Sequence, residues 1–101
     1  MALETIEQDN ALVIRVRGDF DFRLHRSFRN TYRDVTDTSR FVIDLSGTSY
    51  MDSSALGMLL LLREHAQAHG AKVELRGVAG EVARIIRIAN FEQLFTISSE
   101  N

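Results

Sequence analysis

The five residues Phe41-Val42-Ile43-Asp44-Leu45 constrain this chain more than any other stretch. A short apolar run without polar alternation is the pattern of a strand buried on both faces, and such a strand belongs inside a sheet whose neighbours arrive through helices. The flanking segments supply both. Ala11 to Arg17 alternates with period two and is rich in β-branched residues, and Lys72-Val73-Glu74-Leu75-Arg76 alternates as a strand that exposes its charges. Leu3 to Glu7 reads as a short first strand. From Phe22 to Val35 the spacing is helical, with Leu24, Phe28, Tyr32 and Val35 on one face and Arg23, Arg26, Asn30 and Arg33 opposite.

A second helix is expected from Ser54 to about His69, stopped by Gly70, and a third from Gly80 to Ala89, burying Val82, Ile85, Ile86 and Ala89 and ended by Asn90. The second helix is apolar nearly all round in its first half, which predicts a well-covered element, while Arg63 to His69 should emerge into solvent. With no proline in the chain, glycines and polar clusters punctuate it. Gly18-Asp19 breaks the second strand, Asp21 is placed to cap the helical stretch beyond it, Thr36 to Ser39 connects, and Ser46 to Met51 reads as a loop. Phe91, Leu94, Phe95 and Ile97 form an apolar tail that closes the core. The order β-β-α-β-α-β-α, with a further strand at the end, predicts an α/β fold: a mixed sheet of four to five strands, its helices mainly on one face.

Length and composition narrow the function classes. The 101 residues fit one domain, 1–101, and a net charge of −2 argues against a dedicated nucleic-acid binder, which needs a basic surplus to neutralise phosphates. Without cysteine there is no disulfide, zinc-finger, iron–sulfur or thiol chemistry. The longest apolar run, Leu56 to Leu62, falls far short of the ~20 residues that span a bilayer. Met1-Ala2-Leu3-Glu4 lacks the basic-then-apolar organisation of a secretory signal, so a cytoplasmic location is expected, with any membrane contact made through a partner.

The chemistry concentrates where the buried strand ends. Asp52-Ser53-Ser54 opens the second helix, and a helix start exposes unpaired N–H groups and the positive end of the helix dipole. It can hold a carboxylate, a serine oxygen or a phosphate; equally, Asp52 or Ser53 can simply cap a core helix.

Tyr50-Met51-Asp52-Ser53-Ser54-Ala55-Leu56-Gly57 resembles the signature loop of the STAS family, the bacterial anti-sigma factor antagonists, and Val16-Arg17-Gly18-Asp19-Phe20-Asp21 is similar to that family's turn after the second strand. The strand Phe41 to Ser46 matches in character, and the likeness extends over essentially the whole chain. The resemblance implies a single STAS-type domain that binds a protein partner and is not an enzyme. It implies that Ser53 is phosphorylated by a cognate anti-sigma factor that is itself an ATP-dependent serine kinase. Asp52 and Ser54 lie beside it and Asp21 near the same surface. A metal-dependent serine phosphatase would reset the protein, and ATP and metal would belong to these partners, so no bound cofactor is expected. Whether Ser53 or Ser54 carries the phosphate in the cell, and whether the protein is a monomer, stay open. Ala55 stands where the family commonly has glycine, and its methyl narrows access to the backbone. Gly57 is retained, which a partner's close approach, a neighbouring strand or packing would each explain. The same resemblance admits a STAS subunit docked on a membrane transporter and, further off, a phosphocarrier using Ser53 or a histidine.

Other features carry less. His65 and His69 have metal-ligand spacing but no third ligand, and a solvated helix end accounts for them. The arginines at 23, 26, 29 and 33 make a basic side without interleaved aromatics for base stacking; a solvated face explains it first and an acidic protein partner second. Ser46 to Tyr50 is not a nucleophile elbow, and no phosphate-binding glycine loop of the nucleotide-hydrolase kind is present.

Overall fold

A computed structural model describes residues 2–99. The first two strands, β1 (Leu3–Gln8) and β2 (Ala11–Val16), pair antiparallel through a two-residue turn. Asp9 and Asn10 both take positive φ, 51° and 62°, the backbone that a tight hairpin needs and that short polar side chains tolerate. β2 pairs parallel with β4 (Arg40–Asp44), β4 with β6 (Lys72–Arg76), and β6 with β7 (Thr96–Ile97). The order β1-β2-β4-β6-β7 is the expected mixed five-stranded sheet, with the buried strand at its centre.

The three helices are α1 (His25–Tyr32), α2 (Ser53–Ala68) and α3 (Gly80–Ile88). Their buried residues, including Phe28, Leu59, Leu62 and Ile86, form one core with Ile14, Phe41, Ile43 and Leu75 from a single face of the sheet. Burial of each such side chain stabilises the fold by ~1.5–3 kcal/mol. The tail closes this core through Phe91 and Phe95, with Ile97 packed against it and β7 added to the sheet edge, but Leu94, also expected there, is exposed. Gly70 (φ 70°) and Asn90 (φ 60°) end their helices in the left-handed conformation.

Four expectations need correcting. The first helix is shorter at both ends: Phe22–Leu24 is a 3₁₀ turn capped by Asp21, and Leu24 and Val35 pack against the core from outside the helix. Ser46 to Met51 is not all loop, and Gly18-Asp19 is not merely a break. Gly18–Phe20 (β3) and Thr48–Met51 (β5) pair as a parallel ribbon beside the main sheet. Gly18 holds φ 78°, and Gly47 lets the chain pass close to Arg17, where a Cβ would come within 3.3 Å of Cγ. Thirdly, α2 is not covered all round, since Leu60 and Leu61 are 37% and 48% exposed. Fourthly, His65 is not in a solvated end: its Nε2 donates to the Val35 carbonyl at 2.8 Å, and its ring packs on Tyr32 and Phe41.

The second face of the sheet carries no helix, yet Ala11, Val13 and Val42 are buried there. Ion pairs span the strands across it. Arg15 Nε donates to Asp44 Oδ2 at 3.1 Å and Arg40 Nη1 to Glu74 Oε1 at 3.2 Å, so long side-chain stems lie on either side of Val42. Asp44 itself is buried, and its Oδ1 accepts from the Ser46 N–H at 3.0 Å and the Ser46 hydroxyl at 2.7 Å. Burial pushes the Asp44 carboxyl up, but the Ser46 bonds and then Arg15 outweigh it, and its pKa lies below the ordinary value. A lowered folded-state value stabilises the protein above the unfolded carboxylate pKa of about 3.9, and this is lost as pH falls through the folded-state value. Asp44→Ala is therefore expected to lose about 1–3 kcal/mol at pH 7. In urea denaturation across pH 3 to 7, the gap between wild type and variant should narrow toward the acid end.

Candidate functional site

The β3–β5 ribbon assembles the site. Its register places Asp19 opposite Tyr50 and Phe20 opposite Met51, and the Asp52 N–H donates to the Phe20 carbonyl at 3.3 Å. Asp21 and Asp52, the next residue on each strand, thus leave adjacent strand ends and each begins a helical turn. Phe20 and Met51 anchor the ribbon in the core and are almost wholly buried.

Asp52 is the N-cap of α2. Its backbone is extended (φ −104°, ψ −178°), and its Oδ1 accepts from the Ala55 N–H at 3.0 Å. Ser53 is the first helical residue and is exposed, whereas Ser54 is half-buried. Neither serine side chain makes a hydrogen bond among the described residues. The acid takes the capping role, and the hydroxyl beside it is left facing solvent at the positive end of a 16-residue helix.

Asp21 caps the 3₁₀ turn by accepting from the Arg23 N–H at 3.0 Å, and the Arg23 guanidinium also grips it, Nη2 to Oδ2 at 2.7 Å. The Arg23 side chain holds the Asp21 carboxyl below its usual range. Asp21 is thus an ionised, partnered carboxylate at the edge of the site.

Ala55 falls differently from what the family resemblance implied, and at Gly57 the neighbouring-strand explanation drops out. Ala55 is fully buried and its N–H is taken by Asp52, so its methyl fills the core and does not narrow a partner's approach. At Gly57 a Cβ would meet nothing within 4 Å, so no neighbouring strand presses on it. The glycine leaves a shallow, open stretch on α2, with Ser53 one turn before it and Leu60 and Leu61 one turn after. The exposed Tyr50 and Phe22, and Arg23 as the holder of Asp21, are site features that the spacing of Asp52-Ser53-Ser54 did not single out. Strand–strand register brings them in, and the turn at Gly18-Asp19 after the second strand was the only local sign of it.

Residues 4–96 match the family described as "Mlab, STAS domain". The chain is 51% identical over 88 residues to a STAS-domain containing protein of Pseudomonas aeruginosa, covering 86% of this chain and 87% of that one. Among solved structures, a sulfate transporter family protein from Wolinella succinogenes superposes with TM-score 0.80 at 15% identity, over 94% of this chain and 81% of that one. The anti-sigma factor antagonist SpoIIAA in its unphosphorylated form superposes with TM-score 0.75 at 18% identity, over 95% of this chain and 86% of that one. At these identities the two structural matches speak to the fold.

The cap makes a separable prediction. Asp52→Ala should cost about 1 kcal/mol by removing the acceptor for the Ala55 N–H, while Asp52→Asn, which keeps an acceptor oxygen, should cost much less. Chemical denaturation of the two variants distinguishes them.

Proposed function

Because this chain belongs to the STAS-domain family, we propose that it works as an anti-sigma factor antagonist, a protein-binding switch thrown by phosphorylation of Ser53. The unphosphorylated form binds a cognate anti-sigma factor that is also a serine kinase, and phosphorylation releases it. A metal-dependent serine phosphatase restores the binding form. The protein catalyses nothing itself, and ATP and metal belong to the kinase and phosphatase partners.

The observation that carries this reading is the division of labour at the start of α2. Asp52 satisfies the helix, so the Ser53 hydroxyl is free to enter a kinase site without unravelling the cap. Phosphate there adds about −1.5 to −2 charge next to the Asp52 carboxylate. Remaining N–H groups and the helix dipole stabilise the charge locally, so the fold survives modification. An interface built for a neutral hydroxyl does not, because a buried, unpaired charge costs several kcal/mol and each ~1.4 kcal/mol is tenfold in affinity. Asp21 and Asp52, each held by a partner of its own, stand at neighbouring strand ends beside Ser53, while Ser54 and the open Gly57 stretch extend the surface a partner can lie on.

Docking on a membrane transporter is the second reading, favoured by the match to the sulfate transporter family protein. No helix among the described residues is long and apolar enough to cross a membrane, so attachment would be through a transporter subunit. Co-fractionation with a transporter complex, unaffected by Ser53 substitution, would favour this reading over the switch.

The direct test measures affinity for the cognate anti-sigma factor by calorimetry. Ser53→Ala should bind within a few-fold of wild type and Ser53→Asp at least tenfold more weakly; equal binding of the two would overturn the electrostatic account. Gly57→Ala separates stability from binding. It should stabilise the isolated protein by about 0.5–1 kcal/mol, since nothing crowds the new methyl, while weakening the partner complex.

A further inference from the structure

The outer side of α1 and the groove it shares with α2 form a second surface, which adjoins the Ser53 site at Phe22 and along α2. Arg23 is tied to Asp21 and Arg33 lies 3.7 Å from Asp34, but Arg26 and Arg29 are exposed and in no ion pair among the described residues. Placed three apart, they sit on one side of the helix. His25 and Arg29 line the α1–α2 groove, and across it Leu61 of α2 is 48% exposed. Phe22, 67% exposed, stacks on the His25 ring with centroids 5.5 Å apart and extends the apolar surface beyond the start of α1. Among the described residues that line this groove, Glu64 is the one acid.

Leu61 and the unpaired Arg29 in the groove, with the unpaired Arg26 on the adjoining outer side of α1 and Phe22 beyond the helix start, match one kind of occupant. We infer that this groove and the outer side of α1 beside it dock an acidic amphipathic helix of a protein partner, its apolar stripe on Leu61 and Phe22 and its carboxylates on Arg26 and Arg29. A helix fits because its side chains recur every three to four residues, the spacing of the arginines it would meet. A polyanion fits less well. The whole chain carries −2, so a long phosphate backbone would be repelled beyond the patch, whereas a short acidic segment needs only local complementarity. Tyr32 is buried and leaves Phe22 as the exposed aromatic ring on this side, too few for base stacking. The exposed face of α2 leads from Leu60 and Leu61 back through Gly57 to Ser53, so one partner can engage both surfaces, yet the groove binds without the phosphosite.

The test selects helical peptides from a displayed library on the full chain and measures their affinities by fluorescence anisotropy. The wild type should enrich peptides of net negative charge with apolar residues at three- and four-residue spacing. Their binding should fall at least tenfold in the double variant Arg26→Glu, Arg29→Glu and several-fold in Leu61→Ser, with melting curves confirming that both variants fold. Ser53→Asp should change these affinities less than threefold, so that a failure here is separable from a failure of the switch. Enrichment of neutral or basic peptides, or equal binding by the charge-reversed variant, would overturn the proposal. A 20-nucleotide RNA, or vesicles of phosphatidylglycerol, binding the wild type more tightly than the selected peptides would overturn it in favour of those classes.

Discussion

Val42 has no exposed surface, although no helix lies over its face of the sheet. On one side of it along β4 the Arg15–Asp44 pair reaches from β2, and on the other the Arg40–Glu74 pair reaches to β6. The strand is thus buried twice by different means: Phe41, Ile43 and Leu45 against the helices, Val42 beneath the stems of paired charges. Everything else hangs on this central strand. β2 and β6 take their register from it, α2 leaves from its far end by way of β5, and Asp44 turns the chain there by binding Ser46. A parallel sheet needs both faces of its middle strands dry, and this chain achieves that with three helices and a layer of arginine, aspartate and glutamate.

That architecture places the proposed switch. The β3–β5 ribbon is anchored in the core through Phe20 and Met51, and so it holds two acids at neighbouring helical starts without drawing either serine into a structural bond. Asp52 caps α2 and Asp21 is gripped by Arg23. The arrangement keeps the Ser53 hydroxyl exposed on a rigid support, where the proposed change of charge would leave the packing beneath untouched. The open Gly57 and the uncovered Leu60 and Leu61 are costs that the isolated fold does not need to bear, and the proposed partner surface would account for them.

Much of this was legible from residue order. The strand at Lys72 to Arg76, the stops at Gly70 and Asn90 and the start of α2 follow from local rules, because periodicity and capping depend on residues within one or two turns. The β3–β5 pairing was not legible: neither segment has enough residues to declare a period, and each is a strand only because the other lies beside it. The same holds for Ala55, whose methyl turns inward, and for His65, whose ring lies between Tyr32 and Phe41. For Leu60 and Leu61 the pattern misled, since an apolar residue in a helix does not say whether anything covers it.

The sequence alone determined the class of fold, the central strand, and the placement of an acid and two serines at the head of a helix, because each rests on spacing along a few residues. Only the tertiary structure decided which of those groups is already engaged. Capping distance commits Asp52, strand register brings Asp21 to its side, and open space around Gly57 and Ser53 leaves them available. The placement of Asp21 depends on contacts between segments some thirty residues apart in the chain. No local pattern encodes them, since the free energy of each contact exists only once both segments are in place.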